Sequence, residues 1–208
     1  MQTGSGSNQI DGATAHRTVR AGRYLLSCLC GLLLWLPASG YPSTPAVDVC
    51  LDYHCDATAN AVLSADEWLE IRRAFAEVGS AESEREAIAR AIGLMERFVG
   101  DKVGTADDAP MNEADSGERG QLDCIAESTN SATYLHLFDR QGLLKAHDVE
   151  QRVKRTRWLF AVHWTAVIRD RTSGQRFAVD SWYRGNGEPA IVQPLEEWRQ
   201  ALNEPVIK

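Results

Sequence analysis

"HWTAVIRDRTSGQRFAVD", His163 to Asp180, decides the fold. It holds two runs of branched and aromatic residues, split by the polar "RTSG" of Arg171 to Gly174. Runs of that kind around a short break ending in Gly predict a β-hairpin. The strands are expected over Trp158–Asp170 and Gln175–Tyr183. On the first, Phe160, Val162, Trp164, Ala166 and Ile168 share a core face, and Ala161, His163, Thr165 and Val167 share the other. A four-residue loop closed by Asp170 and Gln175 sets Thr165 opposite Asp180 and His163 opposite Trp182. His163 and Asp180 then become diagonal neighbours on one face, about 7–8 Å apart at the backbone. A slip of one residue sends them to opposite faces, so the pairing requires a loop of even length.

Upstream, "GQLDCIAESTNSATYL" runs from Gly120 to Leu135. Asp123 is the expected N-cap of a helix and Cys124 its first residue. Ile125, Ala132, Leu135 and Phe138 point inward, and Gly142 ends the helix. The run Ser128 to Ser131 is poor helix material, because short polar side chains compete for the backbone. Further upstream, Ser64 and Glu67 form a capping box ahead of Trp68–Val78, with Trp68, Ile71, Phe75 and Val78 on one buried face. A second box, Ser83 with Glu86, precedes a stripe of Ile88, Ala91, Ile92, Met95 and Val99, stopped by Gly100. At the far end, "RGNGEP" (Arg184–Pro189) turns the chain, and "PLEEWRQAL" (Pro194–Leu202) reads as a short helix. Helices first and paired strands later predict an α+β fold. In it, N-terminal helices are followed by a helix carrying Cys124, packed on an antiparallel sheet.

The chain has 208 residues, is 44% hydrophobic and 25% charged, and carries a formal charge of −7. These values fit one globular domain and give no basic footprint for nucleic acid. The first forty residues differ. Arg17, Arg20 and Arg23 precede "YLLSCLCGLLLWLP" (Tyr24–Pro37) and then "ASG". That is the pattern of a signal peptide cleaved near Gly40 or, alternatively, near Ala38, with an apolar run too short for a comfortable membrane span. The expected location is exported, periplasmic or secreted, with no stable membrane span after cleavage. Removing residues 1–40 leaves 168 residues, takes away three arginines and one aspartate, and moves the charge from −7 to −9. It also removes Cys28 and Cys30. In an oxidising compartment, Cys50 and Cys55 of "CLDYHC" close a disulfide loop and Cys124 is left as the odd thiol.

The organisation expected is therefore a signal peptide over 1–40, a tether with the Cys50/Cys55 loop over 41–63, and a helical section over 64–100. A mobile, charged and Gly-rich loop follows over 101–119, and a core carrying the chemistry over 120–208. The carboxylates of the 101–119 loop match no calcium-loop spacing, and no cofactor or metal is expected. Cys50, His54 and Cys55 form a cramped alternative metal set lacking a fourth ligand.

A thiol becomes a nucleophile as the thiolate, favoured by a helix start and a neighbouring imidazolium. The candidate imidazoles after residue 40 are His54, His136, His147 and His163. His136 and His147 read as surface residues. His163 lies in the best strand, with Asp180 placed to orient it. Trp164, Trp182 and Trp198 read either as core or as walls of a cleft.

"DC" opening a helix, "HWTAVI" on a strand and "AVDSW" on the next resemble the transglutaminase-like cysteine peptidases of the papain-like superfamily, over Gly120–Tyr183. The resemblance implies Cys124 as nucleophile, His163 as general base and Asp180 as orienting acid. It implies an oxyanion hole made by the Cys124 N–H and an upstream donor, Gln121. The chain departs from bacterial members, which carry acids directly after the cysteine; here Ile125 and Ala126 follow and an acid returns at Glu127. The N-terminal helices and the Cys50–Cys55 loop have no counterpart in the family. The implied function is an exported thiol hydrolase, peptidase or amidase, acting on a peptide or protein amide by acyl transfer. Two rivals stand beside it. One is a non-catalytic cell-envelope protein of the same fold that binds a peptide or protein partner. The other is a disulfide-exchange protein using Cys50 and Cys55, whose four-residue spacing differs from the usual two-residue redox motif.

Overall fold

The computed structural model describes residues 44–112, 119–157 and 161–202. The expected signal peptide lies outside the described residues, as do Trp158, Leu159 and Phe160. Strands β1 (Ala46–Cys50) and β2 (Thr58–Val62) come first, followed by helices α1 (Ala65–Arg73), α2 (Ala81–Val103) and α3 (Cys124–Arg140). Then come β3 (His147–Arg157), β4 (Ala161–Asp170), β5 (Arg176–Asp180), β6 (Ile191–Pro194) and α4 (Leu195–Arg199). β1 and β2 make a two-stranded antiparallel sheet; β3 to β6 make a four-stranded antiparallel sheet in chain order. The fold is α+β. No helix among the described residues is long and apolar enough to cross a membrane.

The β4–β5 hairpin has the register that a four-residue loop predicts: Ala166 pairs with Val179, Val167 with Ala178 and Ile168 with Phe177. Asp170 builds the loop. Its Oδ1 accepts the N–H of Thr172 and of Ser173, each at 2.8 Å, and its carbonyl accepts Gly174 N–H at 2.9 Å. Gly174 sits at φ +72°, where a side chain is strained. Ala166 and Ile168 enter the main core, and Val167 and Ala178 pack on the other face under Leu195 and Trp198 of α4. A sheet covered on both faces explains why β4 reads as a nearly unbroken apolar run. The expected core face fades toward the start of β4, where Trp164 is half-buried and Val162 is 44% exposed.

The helical section required several corrections. α2 starts three residues earlier than expected, so its capping box is Ser80 with Ser83: each hydroxyl accepts the other's N–H, at 3.1 and 3.0 Å. Gly100 does not stop it; the helix runs to Val103 and ends at Gly104 in the left-handed region. Gly100 is there for closeness, since a Cβ would lie 2.8 Å from the Asn186 amide and 3.1 Å from the Ala106 backbone. The 41–63 segment is no tether, because Val47 and Val49 alternate into the core and β1 pairs along its whole length with β2. Part of the 101–119 loop is ordered as well: Met111 N–H bonds Trp182 O at 2.7 Å, and Trp182 Nε1 donates to Asn112 O at 2.8 Å.

β3 escaped the sequence reading because "HDVEQRVKRTR" has no apolar alternation, a composition suited to the edge of a sheet. Its first residue, His147, is fully buried rather than on the surface. Glu84 of α2 holds it there, accepting the N–H of Lys145, Ala146 and His147 at 2.7 to 3.0 Å and meeting His147 Nδ1 at 3.0 Å. Burial alone would raise the Glu84 carboxyl, but the His147 contact and these N–H groups hold it below its ordinary value.

The main core joins β1 and β2 to α1, α2, α3 and one face of the large sheet. Gly93 is where α2 meets the chain leading into β6; a Cβ there would stand 2.6 Å from Glu188 O. Gly93→Ala must push backbone aside. It is expected to lower stability by about 1–3 kcal/mol, as overpacking does. Urea unfolding of the two proteins checks this, and an unchanged midpoint would show that the Glu188 turn yields freely.

Candidate functional site

The helix carrying the odd thiol is held from its first turn. Asp123 is its N-cap, with Oδ1 accepting the N–H of Ile125 at 3.1 Å and of Ala126 at 2.9 Å. Its Oδ2 accepts His54 N–H at 3.1 Å and lies 3.6 Å from His54 Nε2. His54 and Cys55 have φ of 59° and 62°, a strained pair. The Cys50–Cys55 disulfide closes their loop, taking both sulfurs from the alternative metal set. Asn130 then clamps the loop to α3: its Oδ1 accepts Cys50 N–H at 2.7 Å and its Nδ2 donates to Cys50 O at 3.2 Å. The polar run at Ser128–Ser131, weak for a helix by itself, is occupied throughout. Ser128 and Thr129 hydroxyls donate to Cys124 O and Ile125 O, both at 2.6 Å, and Ser131 Oγ meets Ser181 Oγ at 3.1 Å.

Cys124 is half-buried. Its Sγ donates to Val162 O at 3.8 Å, and the Trp164 N–H faces it too. The sulfur thus lies against β4 on either side of His163, past the point where the β4–β5 ladder ends at Ala166–Val179. His163 Nε2 meets Asp180 Oδ2 at 2.7 Å. Trp198 Nε1 donates to the same oxygen at 2.6 Å. With the carboxylate as acceptor, Nε2 is the nitrogen that carries hydrogen, and Nδ1 is left bare. Nδ1 is buried and has no hydrogen-bond partner among the described residues. The rings of Trp182, Tyr183 and Trp198 surround the imidazole, with centroids 4.7, 5.2 and 5.6 Å away.

His163 and Asp180 are therefore in contact and Cys124 lies against the backbone on either side of His163, but the thiol is not acidic at rest. Burial pushes it up to about 11, and the charges of Asp123 and Asp180 add to the rise. The Trp164 N–H and the cysteine's own N–H oppose this and are outweighed. The sequence-based expectation of a lowered value weighed the helix start and the imidazole. It left out the two carboxylates that capping and orientation bring to the same place.

Gln121 stands elsewhere. Its Nε2 donates to Asp107 O at 2.8 Å, and its Oε1 accepts from Ala109 N–H at 3.1 Å and from the Asn112 amide. It braces the loop that holds Trp182 rather than facing the thiol as an oxyanion donor. The Cys124 N–H is not among the groups held by Asp123 Oδ1, which accepts the next two.

A carboxyl cluster with no local sequence signature includes one residue of α3. Glu127, Glu96 of α2 and Asp108 are all buried. Ser181 Oγ donates to Glu127 Oε2 at 2.5 Å, and Leu122 N–H to Asp108 Oδ1 at 2.8 Å. Burial raises all three carboxyls, and mutual repulsion adds to the rise at Glu96 and Glu127. Glu96 reaches about 8. Among the described residues no group of three or more His, Cys, Asp or Glu is placed to hold a metal ion. No family model, curated protein or solved structure matches this chain.

Two outcomes are expected. Asp123→Ala removes a cap and the partner of His54, and should lower stability by about 1 kcal/mol. Thermal unfolding reads this, and an unshifted midpoint would mean that the disulfide loop alone secures the helix start. Glu96 keeps its proton in the fold up to about 8, while in the unfolded chain it loses it near the ordinary 4.5. The folded state holds the extra proton between those values, so the contribution of Glu96 to stability falls as pH rises from about 4.5 to 8 and is constant above. Glu96→Gln should flatten that fall and melt higher than the parent at pH 8. Parallel curves for the two proteins from pH 5 to 8 would contradict it.

Proposed function

We propose that the protein is an exported thiol hydrolase, a peptidase or amidase of papain-like architecture. It works through Cys124, His163 and Asp180. The observation that carries this is the 2.7 Å His163–Asp180 contact, which leaves a bare, partnerless Nδ1 on the residue that the thiol's backbone contacts straddle. The disulfide at Cys50–Cys55 supports the exported location.

Because the thiol rests protonated, the chemistry begins from a neutral pair. Sγ attacks the amide carbonyl carbon as its proton passes to His163 Nδ1. Asp180 holds the imidazole in the required tautomer and steadies the positive charge that forms. The Cys124 N–H, at the positive end of α3, faces the developing oxyanion. The Nδ1 proton then moves to the leaving amine as the C–N bond breaks, leaving a thioester on Cys124. Water, deprotonated through Nδ1, attacks the thioester; the acid departs and the thiol is restored.

A second reading has its own support. The raised thiol and its bond to Val162 O suit a protein of this fold that binds a peptide or protein partner without turning it over. Acylation separates the two. The protein is mixed with peptidyl p-nitrophenyl esters and peptide amides, quenched in acid and weighed by mass spectrometry. A hydrolase gains an acyl group on Cys124, Cys124→Ala gains none, and His163→Ala turns over roughly 10²–10⁴ times more slowly, the usual worth of a positioned base. Full turnover in Cys124→Ala, or a parent protein that is never acylated at Cys124, would leave the binding reading in its place.

A further inference from the structure

The β3–β4 ladder breaks beside the thiol. Glu150 pairs with Val167 and Val153 with Thr165, so β3 takes three steps where β4 takes two. The extra residue is a β-bulge at Gln151–Arg152, a feature that re-aims side chains. It turns Arg152 onto the first turns of α3. There Nη1 donates to Ile125 O at 3.1 Å and to Ser128 Oγ at 2.9 Å. The guanidinium lies 5.2 Å from the centre of the Trp164 ring, and Lys154 Nζ lies 5.8 Å from the same ring. The exposed Val162, whose carbonyl receives the thiol, is two residues away on the same face of β4.

The charges here are out of balance. In a chain of net charge −7, Arg97, Lys102, Arg169, Arg171 and Arg176 all have carboxylate partners. Arg152 and Lys154 have none among the described residues; exposed Arg72, Arg73, Arg140 and Lys145 have none either, and what sets Arg152 apart is that it is half-buried. The two acids nearest the sulfur are already engaged: Asp123 by His54 and the helix N–H groups, Asp180 by His163 and Trp198. Arg152 Nε and Nη2 are the donors not taken up by α3. A planar fork backed by an aromatic ring and lacking an anion is a carboxylate receptor.

We infer that Arg152 and Lys154, both close to the Trp164 ring, form an anion subsite next to Cys124 that selects amides bearing a carboxylate close to the scissile bond. The substrate class rests on Cys124 being the nucleophile proposed above.

The test uses two alkylating agents that differ in one charge, iodoacetate and iodoacetamide. Each forms an S–C bond to Cys124 as iodide leaves and the thiol proton passes to solvent. Intact mass gives both rates at pH 8 and low salt, and N-acetylcysteine supplies the reference ratio. The iodoacetate-to-iodoacetamide ratio should exceed that of N-acetylcysteine by about tenfold, a modest value for a cation at close range. It should fall toward the reference in Arg152→Gln, in part in Lys154→Gln, and with added salt. Both rates should fall in Arg152→Gln, because the guanidinium also favours the Cys124 thiolate, and taking the ratio cancels that shared loss. A parent ratio equal to that of N-acetylcysteine would overturn the inference without any variant. So would a raised ratio that survives both substitutions. Lys154 is exposed, so its variant keeps the test open should Arg152→Gln misfold. Alkylation needs only a reachable thiol, so the ratio is read apart from turnover. Turnover with a reference-like ratio removes the subsite alone; a raised ratio without turnover removes the hydrolase reading alone.

Discussion

The site depends on the parity of one loop. Asp170 folds Arg171–Gly174 into a turn of four residues, and that even number puts His163 and Asp180 on one face of adjacent strands. The same parity buries Ala166 and Ile168 under α3 while Val167 and Ala178 meet α4. One residue more or fewer would turn His163 toward α3 and set Asp180 apart from Trp198. Core packing and the His–Asp contact are thus selected by a single constraint, and neither can be altered alone.

A second constraint works against the chemistry. The thiol needs a helix start and an oriented histidine, and this chain supplies both with aspartates. Asp123 caps α3 and Asp180 holds the imidazole. Each carries negative charge toward a sulfur that burial has already deprived of water, so the proton is retained. Arg152 is a cation whose charge reaches the thiol, and it contacts α3 from the bulge in β3. The negative charge beside the thiol is therefore set against the Arg152 guanidinium. On the proposed hydrolase reading, an arriving carbonyl would develop its charge at the Cys124 N–H, and an anionic group beside it would meet that guanidinium.

The sequence made the hairpin, the cap and the first helical residue legible because each depends on near neighbours: period two along β4, a loop of four, an aspartate before a cysteine. The misreadings have a common cause. Gly100 lies inside α2 because Asn186, far along the chain, approaches there. His147 is buried because Glu84 receives it and the two backbone N–H groups before it. Gln121 was assigned to an oxyanion hole from chain order alone, and Asp107, Ala109 and Asn112 claim it in space. Glu96, Asp108 and Glu127 look like ordinary surface acids until three separate segments close over them. Local pattern carries the elements; long-range contacts carry the exceptions.

The disulfide loop shows how those contacts bear on function. By sequence it is an appendage joined to a tether. In space it supplies the strained His54–Cys55 turn whose N–H and imidazole meet Asp123. A helix N-cap needs only one oxygen of its aspartate, and here the second is held from outside the helix. That second hold fixes the rotamer of Asp123, and with it the distance between its charge and the sulfur. Asn130, one face of the helix further on, binds both backbone groups of Cys50, so loop and helix start move as one body. A covalent staple of this kind is durable only where thiols stay oxidised. The geometry of the thiol is in this way tied to the compartment in which the chain folds.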